Sequence, residues 1–203
     1  MMHLSIKIDL KAKDSILRML HKPLHETSEN TCLKITNYLR QSALTVTTEK
    51  DMNPNESEKG QNFSAVQLGS LENWKTYTAK VKALPSRDVP GKLFLNSILG
   101  LTGMEVSVNC LAAGVAVPFY HKHTKHEELY LFLKGRGQFQ VDEKIIEICE
   151  GTALRISPDG ERTWRNNSKE DLFYIVIQAT EFSIAAKGID DGYSDQRRVI
   201  WPD

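Results

Sequence analysis

Cysteine is scarce in this chain, neither charge sign is in excess, and no long apolar run occurs. Each shortage removes a class of protein. The three cysteines, Cys32, Cys110 and Cys149, lie far apart and form no CxxC pair. A zinc finger or a disulfide framework is therefore not expected, and reduced thiols are. Lys plus Arg and Asp plus Glu both total 26, for a net charge of zero. That balance argues against a broad nucleic-acid-binding face, which needs basic surface to displace counterions, and leaves room only for a local basic patch. No stretch approaches the length of a membrane span. The opening MMHLSIKIDLKAK alternates apolar and charged residues and lacks the apolar run of a signal peptide. A cytoplasmic protein with no membrane and no nucleic-acid partner is the expectation.

What is present is enough for one ordinary domain and a modest extension: 203 residues, 40% hydrophobic and 26% charged. Residues 1–60 read as a mixed, partly helical extension and linker. Leu4, Ile6, Ile8 and Leu10 alternate as in a half-exposed strand. Asp14 to His21 carries Ile16, Leu17 and Leu20 at helical spacing and stops before Pro23. Thr31 to Arg40 sets Cys32, Ile35 and Leu39 on one helical face, and TTEKDMNPNESEKGQN then reads as a linker with nothing to bury. His21 and His25 have i, i+4 spacing, but Pro23 between them argues against a helical metal pair. No chemistry is assigned to this part.

Residues 61–182 have a different texture. A strand from Phe63 and a short turn or helix from Leu71 to Tyr77, anchored by Trp74, precede a loop from Val81 to Gly91. Short apolar-rich runs follow at Lys92–Leu101, Met104–Leu111, Glu128–Leu133, Gly137–Val141, Lys144–Ile148, Thr152–Ile156 and Leu172–Gln178. Each is bounded by turn-forming or polar residues, and Asp142-Glu143 makes a tight hairpin. Many short strands without a long helix exclude a parallel α/β sheet and point to an all-β sandwich or barrel. The tail, residues 183–203, is polar but ends in Val199, Ile200 and Trp201, a cluster expected to pack on the barrel or on a partner chain.

Within this region His121 and His123 are two apart, so on extended backbone their imidazoles share a face. Glu128 follows after a turn and shares a face of the next strand with Tyr130 and Phe132. If that face is the barrel interior, two imidazoles and a carboxylate converge, a donor set suited to Fe(II), Mn, Ni, Co or Zn with positions left open. The alternative is a polar barrel lining that binds no metal. His126 is expected in the turn, solvated, and Glu127 is expected to face away from Glu128. Tyr130 and Phe132 read as pocket lining, Trp164 as a side chain outside the barrel or at its rim, and the nearby Lys122, Lys125, Lys134 and Arg136 as a solvated face.

The spacing Gly114, six residues, His121-Lys122-His123, four residues, Glu128, six residues, Gly135 resembles the first motif of the cupin superfamily. Gly151, six residues, Pro158-Asp159-Gly160, two residues, Thr163, three residues, Asn167 resembles the second, with Thr163 where the family has a histidine ligand. The resemblance covers about Phe63 to Thr180. It implies a double-stranded β-helix, or jelly-roll, cupin barrel of the small single-domain type and a frequent homodimer. It also implies a divalent metal on His121, His123 and Glu128, with the fourth ligand not carried over to Thr163. Gln138 or Gln140 is a candidate to approach the vacancy. A metal-dependent dioxygenase or isomerase acting on a small molecule follows from the resemblance. A non-enzymatic ligand-binding or sensor module, with structural metal or none, is the alternative, and no catalytic residue is assigned.

Overall fold

The computed structural model describes residues 56–184 and 191–202. The expected N-terminal strand, both helical segments and most of the linker lie outside the described residues. Two short hairpins come first: β1 (Glu58–Lys59) with β2 (Ser64–Ala65), and β3 (Thr78–Ala79) with β4 (Val89–Pro90). The first hairpin thus begins within the run read as a linker, and its Glu58 and Lys59 are both exposed. Between the hairpins lies the one-turn helix α1 (Leu71–Trp74), with Trp74 buried as the sequence suggested.

The barrel is built from two antiparallel sheets. Strands β5 (Lys92–Phe94), β6 (Glu105–Leu111), β7 (His126–Lys134), β10 (Ala153–Ile156) and β12 (Leu172–Thr180) form one, in the order β10-β7-β12-β6-β5. Strands β8 (Arg136–Val141), β9 (Lys144–Cys149) and β11 (Arg162–Arg165) form the other, in the order β11-β8-β9. The run expected as one strand from Lys92 to Leu101 is divided. It is strand only to Phe94, then the one-turn helix α2 (Asn96–Leu99), because Gly100 takes a left-handed conformation (φ 68°) and Asn96 Nδ2 donates to Leu101 O at 2.9 Å. Strand β11 had no counterpart among the expected runs. Its sequence, Arg-Thr-Trp-Arg, carries charge at both ends and conceals that one of the two arginines is an interior residue.

Alternation along the strands separates two cores. On β7, Glu128, Tyr130 and Phe132 are buried while their neighbours are less so. Tyr130 and Phe132 join Phe139, Ile148, Ile156, Leu172, Tyr174 and Val176 inside the barrel. The opposite face of the five-stranded sheet is covered by Trp74, Leu95, Val108, Cys110 and Phe173. On β12 this places Leu172, Tyr174 and Val176 inward and Phe173 outward. Each large side chain so buried contributes about 1.5–3 kcal/mol. The β7–β8 connection requires glycine at Gly135, where φ is 89° and a Cβ would collide with the carbonyl oxygen of Asp171. At the far end, Val199, Ile200 and Trp201 are 71%, 83% and 83% exposed, so the terminal apolar cluster does not pack back on the barrel as one of the two expectations had it.

Candidate functional site

Two main-chain attachments position the histidines. His121 exchanges backbone hydrogen bonds with Arg162 of β11, and His123 N donates to Pro158 O at 3.0 Å. The extended stretch that carries both rings is therefore a bridge to β11 and to the Pro158-Asp159-Gly160 turn, not a strand of its own. Glu128 comes from the inward face of β7. The three side chains converge, with one donor atom from each within 4.8 Å of the others. His123 Nε2 is 3.0 Å from Glu128 Oε1, and His121 Nε2 is 3.9 Å from Glu128 Oε2.

Glu128 is only 2% exposed, and its carboxylate is saturated with donors. Oε2 accepts from Tyr130 OH at 2.6 Å and from Arg162 Nε and Nη2 at 3.0 and 2.6 Å. Oε1 accepts from Gln178 Nε2 at 2.8 Å and faces His123. Burial alone would raise the carboxyl pKa. The hydrogen bonds from His123 and Tyr130 and the Arg162 charge outweigh it and hold the group down at about 2, so Glu128 is ionised. Tyr130, buried and next to that charge, is pushed well above the usual phenol range and remains a neutral donor. His121 is pushed down to about 4, chiefly by burial and next by Arg162. Its imidazole is neutral, and its Nδ1 is buried without a hydrogen-bond partner.

Arg162 is the residue that sequence reasoning missed. It is 0% exposed, and besides the two bonds to Glu128 its Nη1 donates to Gly160 O at 3.0 Å and approaches Pro158 O at 3.4 Å. Thr163 points the other way and donates its hydroxyl to Val117 O at 3.1 Å. The inward position of the second motif is thus occupied by arginine, and Thr163 is not at a vacancy. The register agrees further along: Asn166, four residues beyond Arg162 with Thr163, Trp164 and Arg165 between, is 1% exposed and donates to Leu111 O and Glu170 O. The motif is read correctly with one residue, Glu161, between Gly160 and the inward side chain. The signal was available in the alternation of β11, in which Arg162 and Trp164 share a face.

The remaining candidates sort cleanly. Gln138 is occupied on the surface by Glu147 and Arg165, and Gln140 accepts from Tyr120 OH, so neither approaches the cluster. Trp164 lies inside the barrel, stacked on Phe139 at 5.6 Å with 3° between planes, and donates to Tyr174 OH. The expectation of a place outside or at the rim is corrected; the aromatic interior formed by Tyr130, Phe139 and Tyr174 accommodates its indole and its N–H. Phe132 is core, while Tyr130 lines the cavity as well as bonding Glu128. His126 begins β7 instead of lying in the turn, and Glu127 faces away to an ion pair with Arg155 at 2.6 Å.

His121, His123 and Glu128 open onto a cavity of about 560 Å³ whose walls include Phe94, Phe119, Trp164 and Tyr174. The donor set suits a divalent cation in its protonation state: the His121 imidazole is neutral, its buried Nδ1 has no hydrogen-bond partner among the described residues, and the carboxylate is ionised. His121, His123 and Glu128 would hold the ion as a His₂–carboxylate set, with His123 giving up its bond to Glu128 Oε1.

The Cupin domain family model matches residues 108–178. Among solved structures, a cupin protein from Bacteroides fragilis is 38% identical, covers 51% of this chain and 88% of its own, and superposes with a TM-score of 0.50. A Cupin 2 barrel domain protein from Salinispora arenicola is 18% identical over 39% of this chain and 66% of that one, with a TM-score of 0.36. A protein described as a predicted oxalate decarboxylase from Thermotoga maritima is 24% identical over 37% and 64%, also with a TM-score of 0.36. No curated protein matches. The alignment with the Bacteroides protein spans most of that protein's length, and the family model matches the strands that carry Glu128 and its partners: the chain belongs to the cupin superfamily.

Proposed function

We propose that the barrel binds a small organic molecule in the cavity beside a divalent metal held by His121, His123 and Glu128. The observation that carries this reading is the convergence of two imidazoles and one buried, ionised carboxylate on the wall of an otherwise largely aromatic and aliphatic cavity. Iron(II) there would supply oxygen activation, as in a dioxygenase, and manganese, nickel, cobalt or zinc would supply Lewis-acid chemistry, as in an isomerase. The protein's part is to keep His121 neutral by burial, to fix the carboxylate through Arg162, Tyr130 and Gln178, and to offer the ligand a largely apolar wall.

A second reading, a ligand-binding module without metal, is favoured by one specific observation. The guanidinium of Arg162 takes the inward position of the second motif and already neutralises Glu128, so the site is charge-balanced as it stands. Metal analysis of protein purified without an affinity tag, repeated on His121→Ala, separates the two readings. Near-stoichiometric metal that the substitution removes supports the metal site, and metal-free protein from every preparation excludes it. An oxygen-uptake screen on the iron-loaded form then tests for an oxygenase. A homodimer belongs to the same proposal, supported by exposed Ile145 on the three-stranded sheet and by the exposed Val199–Trp201 cluster. Sedimentation of the full chain as a monomer at all concentrations would remove that part.

A further inference from the structure

Lys92 opens β5 on the cavity wall, paired with Asn109 of β6. Its Nζ donates to Asn109 Oδ1 at 2.8 Å and to Ser107 Oγ at 3.1 Å, and lies 4.6 Å from the centroid of the Phe94 ring. Both acceptors are rigidly placed, 3% and 2% exposed. Asn109 is oriented by its own Nδ2, which donates to Ser107 O at 3.0 Å, leaving Oδ1 to face the ammonium. The partners of Lys92 are thus neutral oxygens and an aromatic face. Among the described residues no carboxylate lies within ion-pair distance of it, and the nearby charge of Glu128 is already matched by Arg162.

We infer that the cavity takes a small organic anion whose carboxylate is received by Lys92 and whose apolar body lies along Phe94, Phe119 and Trp164. An ammonium has three N–H groups, two of which are used here on uncharged acceptors. A partly desolvated cation held in this way is costly until an anion reaches it, and a charge-assisted hydrogen bond then recovers the cost. Burial lowers the pKa of Lys92 only to about 8, so the group is still largely protonated near neutrality. The rest of the lining leans to the same sign: Lys82 and Arg87 stand against Asp88, while Lys75 is tied to Asp171 at 2.6 Å. A cavity with cationic groups and low-dielectric walls concentrates anions. Its volume of about 560 Å³ suits a compact organic acid and not a polymer chain.

This inference rests on the reading that the cavity binds a small molecule, and it is independent of the metal. The test uses the full chain stripped with EDTA and calorimetric titration with matched acids and primary amides: hexanoate and hexanamide, benzoate and benzamide, 2-naphthoate and 2-naphthamide. At least one acid is expected to bind about tenfold more tightly than its amide, the increment of one charge-assisted hydrogen bond. Lys92→Met is expected to abolish that preference, bringing each acid to the affinity of its own amide, with Lys92→Arg retaining part of it. Lys92→Gln replaces Lys92→Met if the methionine variant does not fold. Amides binding as well as acids to the wild type overturn the anion assignment while leaving a small-molecule cavity in place. A preference for acids that survives loss of the Lys92 charge, or no binding by any acid, overturns it as well.

Discussion

Arg162 directs Nε and Nη2 to a single oxygen of Glu128, at 3.0 and 2.6 Å, with both side chains at most 2% exposed. The partners are 34 residues apart in sequence. Truncating one member of such a buried pair leaves the other charge uncompensated. Arg162→Met is therefore expected to cost about 3–5 kcal/mol. The Glu128→Gln/Arg162→Met double variant should lose less than the sum of the single changes, as read from urea unfolding midpoints. Strict additivity would mean that the pair is not coupled.

Arginine at the inward position also predicts where a fourth imidazole can be added. Arg162→His is expected to tighten zinc binding, on the order of the tenfold that changes around a metal's ligands commonly bring. Thr163→His should leave it unchanged, because Thr163 faces Val117 and not the cluster. Competition against a zinc-sensitive dye measures both. A larger gain from Thr163→His would show that the register of β11 is wrong.

The protonation states predict an acid sensitivity of the metal-free protein. The pKa of His121 falls from 6.5 to about 4 on folding, so the unfolded chain binds the additional proton between those values and stability declines as the pH drops through that window. The pKa of Glu128 falls from 4.5 to about 2, so its contribution, complete above the unfolded value, is lost as the pH falls further towards about 2. Urea midpoints at pH 7, 5 and 3 should decrease in steps, and His121→Gln should flatten the step between pH 7 and 5. Equal wild-type midpoints at pH 7 and 5 would contradict the burial of a neutral His121.

Phe139 is 0% exposed and stacks on Trp164. Phe139→Ala is expected to cost about 3–5 kcal/mol, the usual range for a buried phenylalanine. It should also weaken whatever the cavity binds, because the ring fixes one of its walls. Chemical denaturation and ligand titration measure the two effects. A milder loss, under about 1 kcal/mol, would mean that the barrel closes around the gap.

How legible the molecule was depended on where the information lay. The alternation on β7 revealed Glu128, Tyr130 and Phe132 as one inward face, since pleating settles that locally. The spacing of His121, His123 and Glu128 revealed the cluster because two-residue periodicity and one turn suffice to bring them together. Strand β11 was not legible: four residues with charge at both ends resemble a surface turn, and only pairing with β8 shows that Arg162 is inside. Trp164 was misplaced for the same reason, its direction following from that unseen strand.

By itself, then, the chain's order of residues determined a barrel of short strands and the two imidazoles and carboxylate that meet on its wall, because strand periodicity and turn chemistry act over a few residues. Only the tertiary structure decided that Arg162 fills the inward position, that Thr163 and the two glutamines turn away, and that Lys92 faces the cavity with neutral partners. Those outcomes depend on which strands pair and in what register, and on which charges are left to compensate one another once water is removed.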